Sequence, residues 1–115
     1  MSGDSVKFGD YLRAQISQAQ ITQSAFYSAV GITKPYFYDI LSGKTKPPPL
    51  EIQIRMIDEL EKNLGAEESR RNSFLNIAAR GREEIPADIA ELIYSRPDEW
   101  DVVRAYLKQH LTEQR

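Results

Sequence analysis

Three lysines and three aromatic rings crowd one short stretch, Gly31 to Pro49, which reads GITKPYFYDILSGKTKPPP. Lys34 precedes the ring triplet Tyr36-Phe37-Tyr38, and Lys44 and Lys46 follow it. Ammonium groups on both sides of a short segment can hold an anion such as a phosphate, and phenol hydroxyls can hydrogen-bond one. Ring faces can pack against apolar groups of a partner or of the protein's own core. Asp39 places a carboxylate among these cations, and it serves either as an acceptor toward a partner or in an internal ion pair with Lys34 or Lys46.

Other reactive groupings are sparse. The single histidine, His110, lies near the end of the chain, there is no cysteine, and no His/Cys set has metal-ligand spacing. The run SGKTK carries the Gly-Lys-Thr of a phosphate-binding loop. It lacks the earlier glycine at the required spacing, and no strand pattern precedes it. Glu83 and Glu84 sit beside a turn and read as solvated charge. An enzyme is not expected, nor a metal or other cofactor.

The totals set bounds on the partner. A chain of 115 residues, 41% apolar and 28% charged, suits one ordinary domain or a small domain with an appendage. The net charge of −2 is unevenly spread. Residues 1–50 carry five Lys/Arg against three acids, +2, and the rest carries ten against fourteen, −4. A mildly cationic half joined to an acidic half follows. The lack of cysteine, of a membrane-length apolar run and of a signal-type start predicts a cytosolic protein that does not enter membranes.

The elements that must carry Lys34 to Lys46 all read as helix. Phe8, Leu12 and Ile16 form a stripe for a first helix. Thr22 caps a second, with Phe26, Ala29 and Val30 turned inward and Gly31 as its stop. Thr33 caps a third, Pro35 sits in its first turn, Phe37, Ile40 and Leu41 face inward, and Gly43 ends it. Lys44 to Pro49 is then an extended connection. Leu50, Ile54, Ile57, Leu60 and Leu64 give a fourth helix closed at Gly65. A fifth starts in the acidic AEES run, buries Phe74, Leu75 and Ala78, and ends near Gly81. Pro86 and Pro97 open two more, the last with Trp100, Val103, Leu107 and Leu111 on one face. No alternating β pattern competes, so the expected class is all-α.

From Phe8 to Leu60 the chain resembles the lambda-repressor/Cro-like (XRE-type) DNA-binding domain. The resemblance rests on FGDYL opening the first helix, ITQ the second, VGIT at the turn, and YFYDILSGKTKP for the third helix and its exit. It implies a helix-turn-helix domain of about five helices over residues 1–65, with residues 66–115 as a C-terminal helical extension. It further implies that the third helix, 33–42, enters the major groove of double-stranded DNA. Carried over position by position, Lys34, Pro35, Tyr38 and Asp39 face base edges, with Asp39 able to accept from a cytosine amino group. Gln23 opens the second helix, where it meets a phosphate, and Ser42, Lys44, Thr45 and Lys46 lie along the backbone. Thr33 and Tyr36 complete the candidate set, and one of Tyr36 and Tyr38 is expected outward while the other packs on Tyr27 or the next helix. Tyr27 itself is a departure: the family usually has a small alanine there, so a changed seating of the second helix on the third is expected.

A single domain of this size covers little DNA, so the resemblance implies a homodimer acting as a transcription regulator, a repressor in the first instance. Trp100, Val103, Tyr106, Leu107 and Leu111 are the candidate dimer residues, and the same helices are a candidate surface for another protein. The rival reading is a protein-interaction module with the Tyr36-Phe37-Tyr38 triplet as its anchor, or an antitoxin that binds DNA with one half and a toxin with the other.

Overall fold

The computed structural model describes residues 6–112. Every regular element among them is helical, and the fold is all-α. Helix α1 spans Phe8–Gln18, α2 Gln23–Val30, α3 Lys34–Ser42 and α4 Leu50–Leu64. Helix α5 spans Glu68–Arg82, α6 Ala87–Tyr94, and a single 3₁₀ turn at Pro97–Glu99 leads into α7, Trp100–Thr112.

Local chemistry sets the first boundaries. Thr22 takes an extended backbone and its side chain accepts from the Ala25 amide at 3.1 Å, capping α2. Thr33 does the same for α3 through the Tyr36 amide at 3.3 Å. Each such cap satisfies an amide that the helix itself leaves free. Gly31 and Gly43 stop α2 and α3 with φ of 88° and 82°, a left-handed turn that costs glycine little. The turn between α2 and α3 is therefore only Gly31, Ile32 and Thr33.

The core is built from the inward stripes. Phe8, Leu12 and Ile16 of α1 meet Phe26 and Val30 of α2, Phe37, Ile40 and Leu41 of α3, and Met56, Ile57 and Leu60 of α4. Ala29 is exposed, and half-buried Tyr27 packs against the core instead. In α4 the buried row is Gln53, Met56, Ile57 and Leu60, while Leu50, Ile54 and Leu64 are only half-buried. Phe74, Leu75, Ile77 and Ala78 of α5 join the same core, with the Phe74 ring edge-on to Phe8 at 5.3 Å. The buried cluster thus continues past residue 65, and α5 is part of the body rather than of an extension. Arg71 ties α5 to α4 through Asp58 and Glu61, at 3.4 and 3.2 Å.

Gly81 is not a helix stop. Helix α5 runs through it to Arg82, and Glu83 makes the left-handed turn with φ of 59°. A Cβ at residue 81 would lie 2.7 Å from Cγ of Pro47, so the missing side chain is what lets the proline loop lie against α5. Beyond that point the packing changes: no residue of α6, the 3₁₀ turn or α7 is buried. Among the described residues no helix is long and apolar enough to cross a membrane.

Candidate nucleic-acid interface

Helix α3 presents the candidate residues because its other side is fully used. Phe37 and Ile40 are almost completely buried and Leu41 nearly so. That fixes the rotation of the helix and leaves Lys34, Pro35, Tyr38 and Ser42 exposed, with Asp39 half-buried at their edge. The ring triplet divides accordingly. Phe37 is core, Tyr36 is half-buried against it, and Tyr38 is the outward ring at 42% exposure.

Tyr38 also touches Tyr27. Their rings stand edge-to-face at 6.5 Å, and Tyr27 leans on Phe37 at 5.3 Å. The bulky residue near the turn therefore joins a continuous aromatic row, Phe26-Phe37-Tyr27-Tyr38, that seats α2 on α3. The Tyr38 hydroxyl donates to Oε1 of Gln23 at 3.2 Å, which fastens the first residue of α2 to the outward face of α3. With Oε1 accepting from Tyr38, the Gln23 amide nitrogen remains a donor.

At the far end of α3 the loop is held by its own backbone. The Thr45 amide donates to the Asp39 carbonyl at 3.2 Å. The Ser42 hydroxyl donates to the same carbonyl at 3.3 Å and accepts from the Lys44 amide at 3.4 Å. Ser42 is thus engaged in the turn as well as exposed, and Thr45 is half-buried. Thr33 is occupied as the α3 cap. Lys34, Lys44 and Lys46 are exposed, and among the described residues none of them forms an ion pair, nor does Asp39. Lys34 and the Lys44–Lys46 loop lie at opposite ends of a nine-residue helix, about 14 Å apart along its axis.

The loop lysines have company that sequence reasoning missed. Lys7 and Arg13 line one groove of about 630 Å³ with Ser42, Lys44, Thr45 and Lys46. Asp10 shares the groove and pairs with Arg13 at 3.0 Å. Gly9 brings these residues together. A Cβ there would meet the Leu41 carbonyl carbon at 2.8 Å and the Ile40 oxygen at 3.0 Å, so α1 lies directly on the end of α3. A glycine within an otherwise apolar stripe was the available signal.

The C-terminal candidates form a separate place. Trp100, Val103 and Leu107 line a groove of about 400 Å³ with Ile93, Tyr94, Arg104 and Lys108. The Trp100 indole donates to the Ile93 carbonyl at 2.7 Å, which sets α7 against the end of α6. Tyr106 points elsewhere and lies against His110, with ring centres 4.0 Å apart, and Leu111 is exposed. No group of three or more potential metal ligands is found among the described residues. Protein-family models, curated proteins and solved structures give no match to this chain.

Proposed function

We propose that this chain is a sequence-specific duplex-DNA-binding regulator, acting as a homodimer and most simply as a repressor, with α3 in the major groove. The observation that carries this reading is the pairing of Tyr38 with Gln23 between unpaired lysines at both ends of α3. A helix-turn-helix needs such a face: side chains for base edges in the middle, and cations at the rim for phosphates. Lys34 and Tyr38 serve as base-facing groups, and Lys44 and Lys46, with Lys7 and Arg13 beyond them, as backbone contacts. Asp39, half-buried and without an ion pair, is free to accept an amino group at a base edge. The resemblance from Phe8 to Leu60 supports the same assignment.

The ring-anchor reading is weaker, because Phe37 is fully buried and Tyr36 half-buried, leaving one exposed ring where three were needed. Fluorescence anisotropy with selected duplexes over a salt series tests the DNA reading. Affinity should fall linearly with the logarithm of salt concentration as counterions are released. Lys46→Ala should weaken all duplexes alike and lower the salt slope by roughly one. Lys34→Ala should also relax the discrimination between sequences. No binding, or binding indifferent to salt, refutes the proposal, and identical behaviour of the two variants refutes the division of roles.

A further inference from the structure

Among the described residues, nine of the eleven large apolar residues that are exposed lie between Ile85 and Leu111. Helices α6 and α7 bury nothing among the described residues, and α7 rests chiefly on the 3₁₀ turn before it. The radius of gyration is 16.0 Å, against roughly 13 Å for a compact chain of this length. A thirteen-residue helix is marginal by itself in water, and so large an apolar surface normally marks a contact.

The charges of α7 select the occupant. Asp98, Glu99 and Asp101 open this segment, and Arg104 and Lys108 lie in its later part. Asp101, Arg104 and Lys108 follow one another at three- and four-residue steps, along one edge of the Trp100-Val103-Leu107-Leu111 stripe. We propose that α7 pairs antiparallel with α7 of a second copy about a two-fold axis, each stripe covering the other's α6–α7 groove. In an antiparallel pair the same edge of each helix meets itself reversed. Asp101 of one copy then stands opposite Lys108 of the other, and the symmetry makes the contact twice. Arg104, held by its own Asp101 at 2.6 Å, falls nearest the axis. A parallel pair would instead put the Asp101–Lys108 edges of the two copies on opposite sides of the seam, so these charges would not meet. The groove rim agrees, since Arg104 and Lys108 border its apolar floor and suit the acidic start of a second α7. The pairing rests on α7 alone and not on the DNA reading.

Sedimentation equilibrium of the full chain tests it without DNA, with fluorescence of Trp100, the single tryptophan, as a second readout. The wild type should be a dimer, and dilution should move the Trp100 emission toward longer wavelength. D101K and K108E, each alone, should weaken self-association about tenfold or more, since each turns both contacts repulsive. An equimolar mixture of the two should recover the wild-type dimer, because in the mixed pair both contacts become attractive. The double variant should recover it as well. A simple weakening of helix α7 by either substitution would persist in the mixture, so recovery separates pairing from misfolding. A monomeric wild type, single variants that associate like wild type, or a mixture that fails to recover each overturn the proposal. So does a monomer that uses this face for a different protein. A dimer that binds no DNA would instead leave the pairing standing and remove the DNA reading.

Discussion

Replacing Gly9 by alanine sets two effects of opposite sign against each other, and the structure decides which wins. Alanine is the better helix former, by about 1 kcal/mol at most in an interior position. Against that, the new Cβ would lie 2.8 Å from the Leu41 carbonyl carbon, with the Leu41 oxygen closer still and the Ile40 oxygen at 3.0 Å. Ordinary carbon–carbon contact is ~3.5 Å or more, so the end of α3 and the start of α1 must part by about 0.7 Å at least. The obstacle is backbone inside a helix, which cannot step aside as a side chain does. Phe8 and Leu12 on the same face of α1 are buried in the core and would move with it.

Overpacking of this kind costs about 3 kcal/mol at its upper range, leaving a net loss of about 2 kcal/mol after the helix gain. For a chain of this size that lowers Tm by ~8 °C. Thermal unfolding followed by circular dichroism measures it. Gly81→Ala is the internal comparison, since its Cβ meets only the ring of Pro47, at 2.7 Å, in a loop with room to shift. Its loss should be clearly smaller. An unchanged or raised Tm for Gly9→Ala would show that α1 does not lie on α3 as described, and the joining of Lys7 and Arg13 to the loop lysines would fall with it.

Two further outcomes follow from named contacts. Arg82 donates from Nη1 to the Pro47 carbonyl at 2.9 Å and is steadied by Glu84, so Arg82→Ala should cost about 1.5 kcal/mol. It should also speed amide exchange of Lys44 to Lys46 before any global unfolding, and unchanged exchange there would refute the bracing role. Burial pushes the Tyr11 hydroxyl above its ordinary pKa of 10.0, with the Arg70 cation pulling the other way. The folded state thus holds the phenol proton more tightly than the unfolded chain. The stability this contributes is complete below pH 10 and is lost as pH rises through the folded value. Ultraviolet titration should find one late-ionising tyrosine that disappears in Tyr11→Phe and ionises later still in Arg70→Gln.

What could be read from the sequence was what local chemistry dictates. Thr22, Thr33, Pro35, Gly31 and Gly43 mark caps and stops within a few residues of themselves, and all of them act so in the structure. Phe37, Ile40 and Leu41 fixed the rotation of α3, which in turn left Lys34, Pro35 and Tyr38 outward. Two glycines of the same residue type behave otherwise for reasons no local rule contains. Gly9 and Gly81 are small because another segment, distant in sequence, passes over them. The fourth helix shows the same limit: Gln53 and Met56 are buried in place of Ile54, because the neighbours of α4 decide its rotation. The sequence expects one of Tyr36 and Tyr38 outward and the other on Tyr27, whereas in the structure Tyr38 does both and Tyr36 is half-buried against the core.

Under the proposed function, the loop carrying Lys44 and Lys46 is where these long-range contacts would matter for binding. Its start is fixed by the Thr45 amide on the Asp39 carbonyl. Its proline run is fixed by Gln53, which donates to the Pro48 carbonyl at 2.8 Å, and by Arg82 on Pro47. Pro47 and Pro48 are buried, so the backbone between α3 and α4 is clamped from both helices α4 and α5. Lysines on a loose loop must be ordered when they meet a phosphate, and each ordered side chain or segment subtracts from the binding free energy. Here the backbone is ordered beforehand, and only the lysine side chains remain to be fixed. Through Gly81 and Arg82, helix α5 positions the loop that carries the candidate lysines. For the same reason the unit that reads DNA under the proposed function cannot end at residue 65: it must include α5 through Arg82.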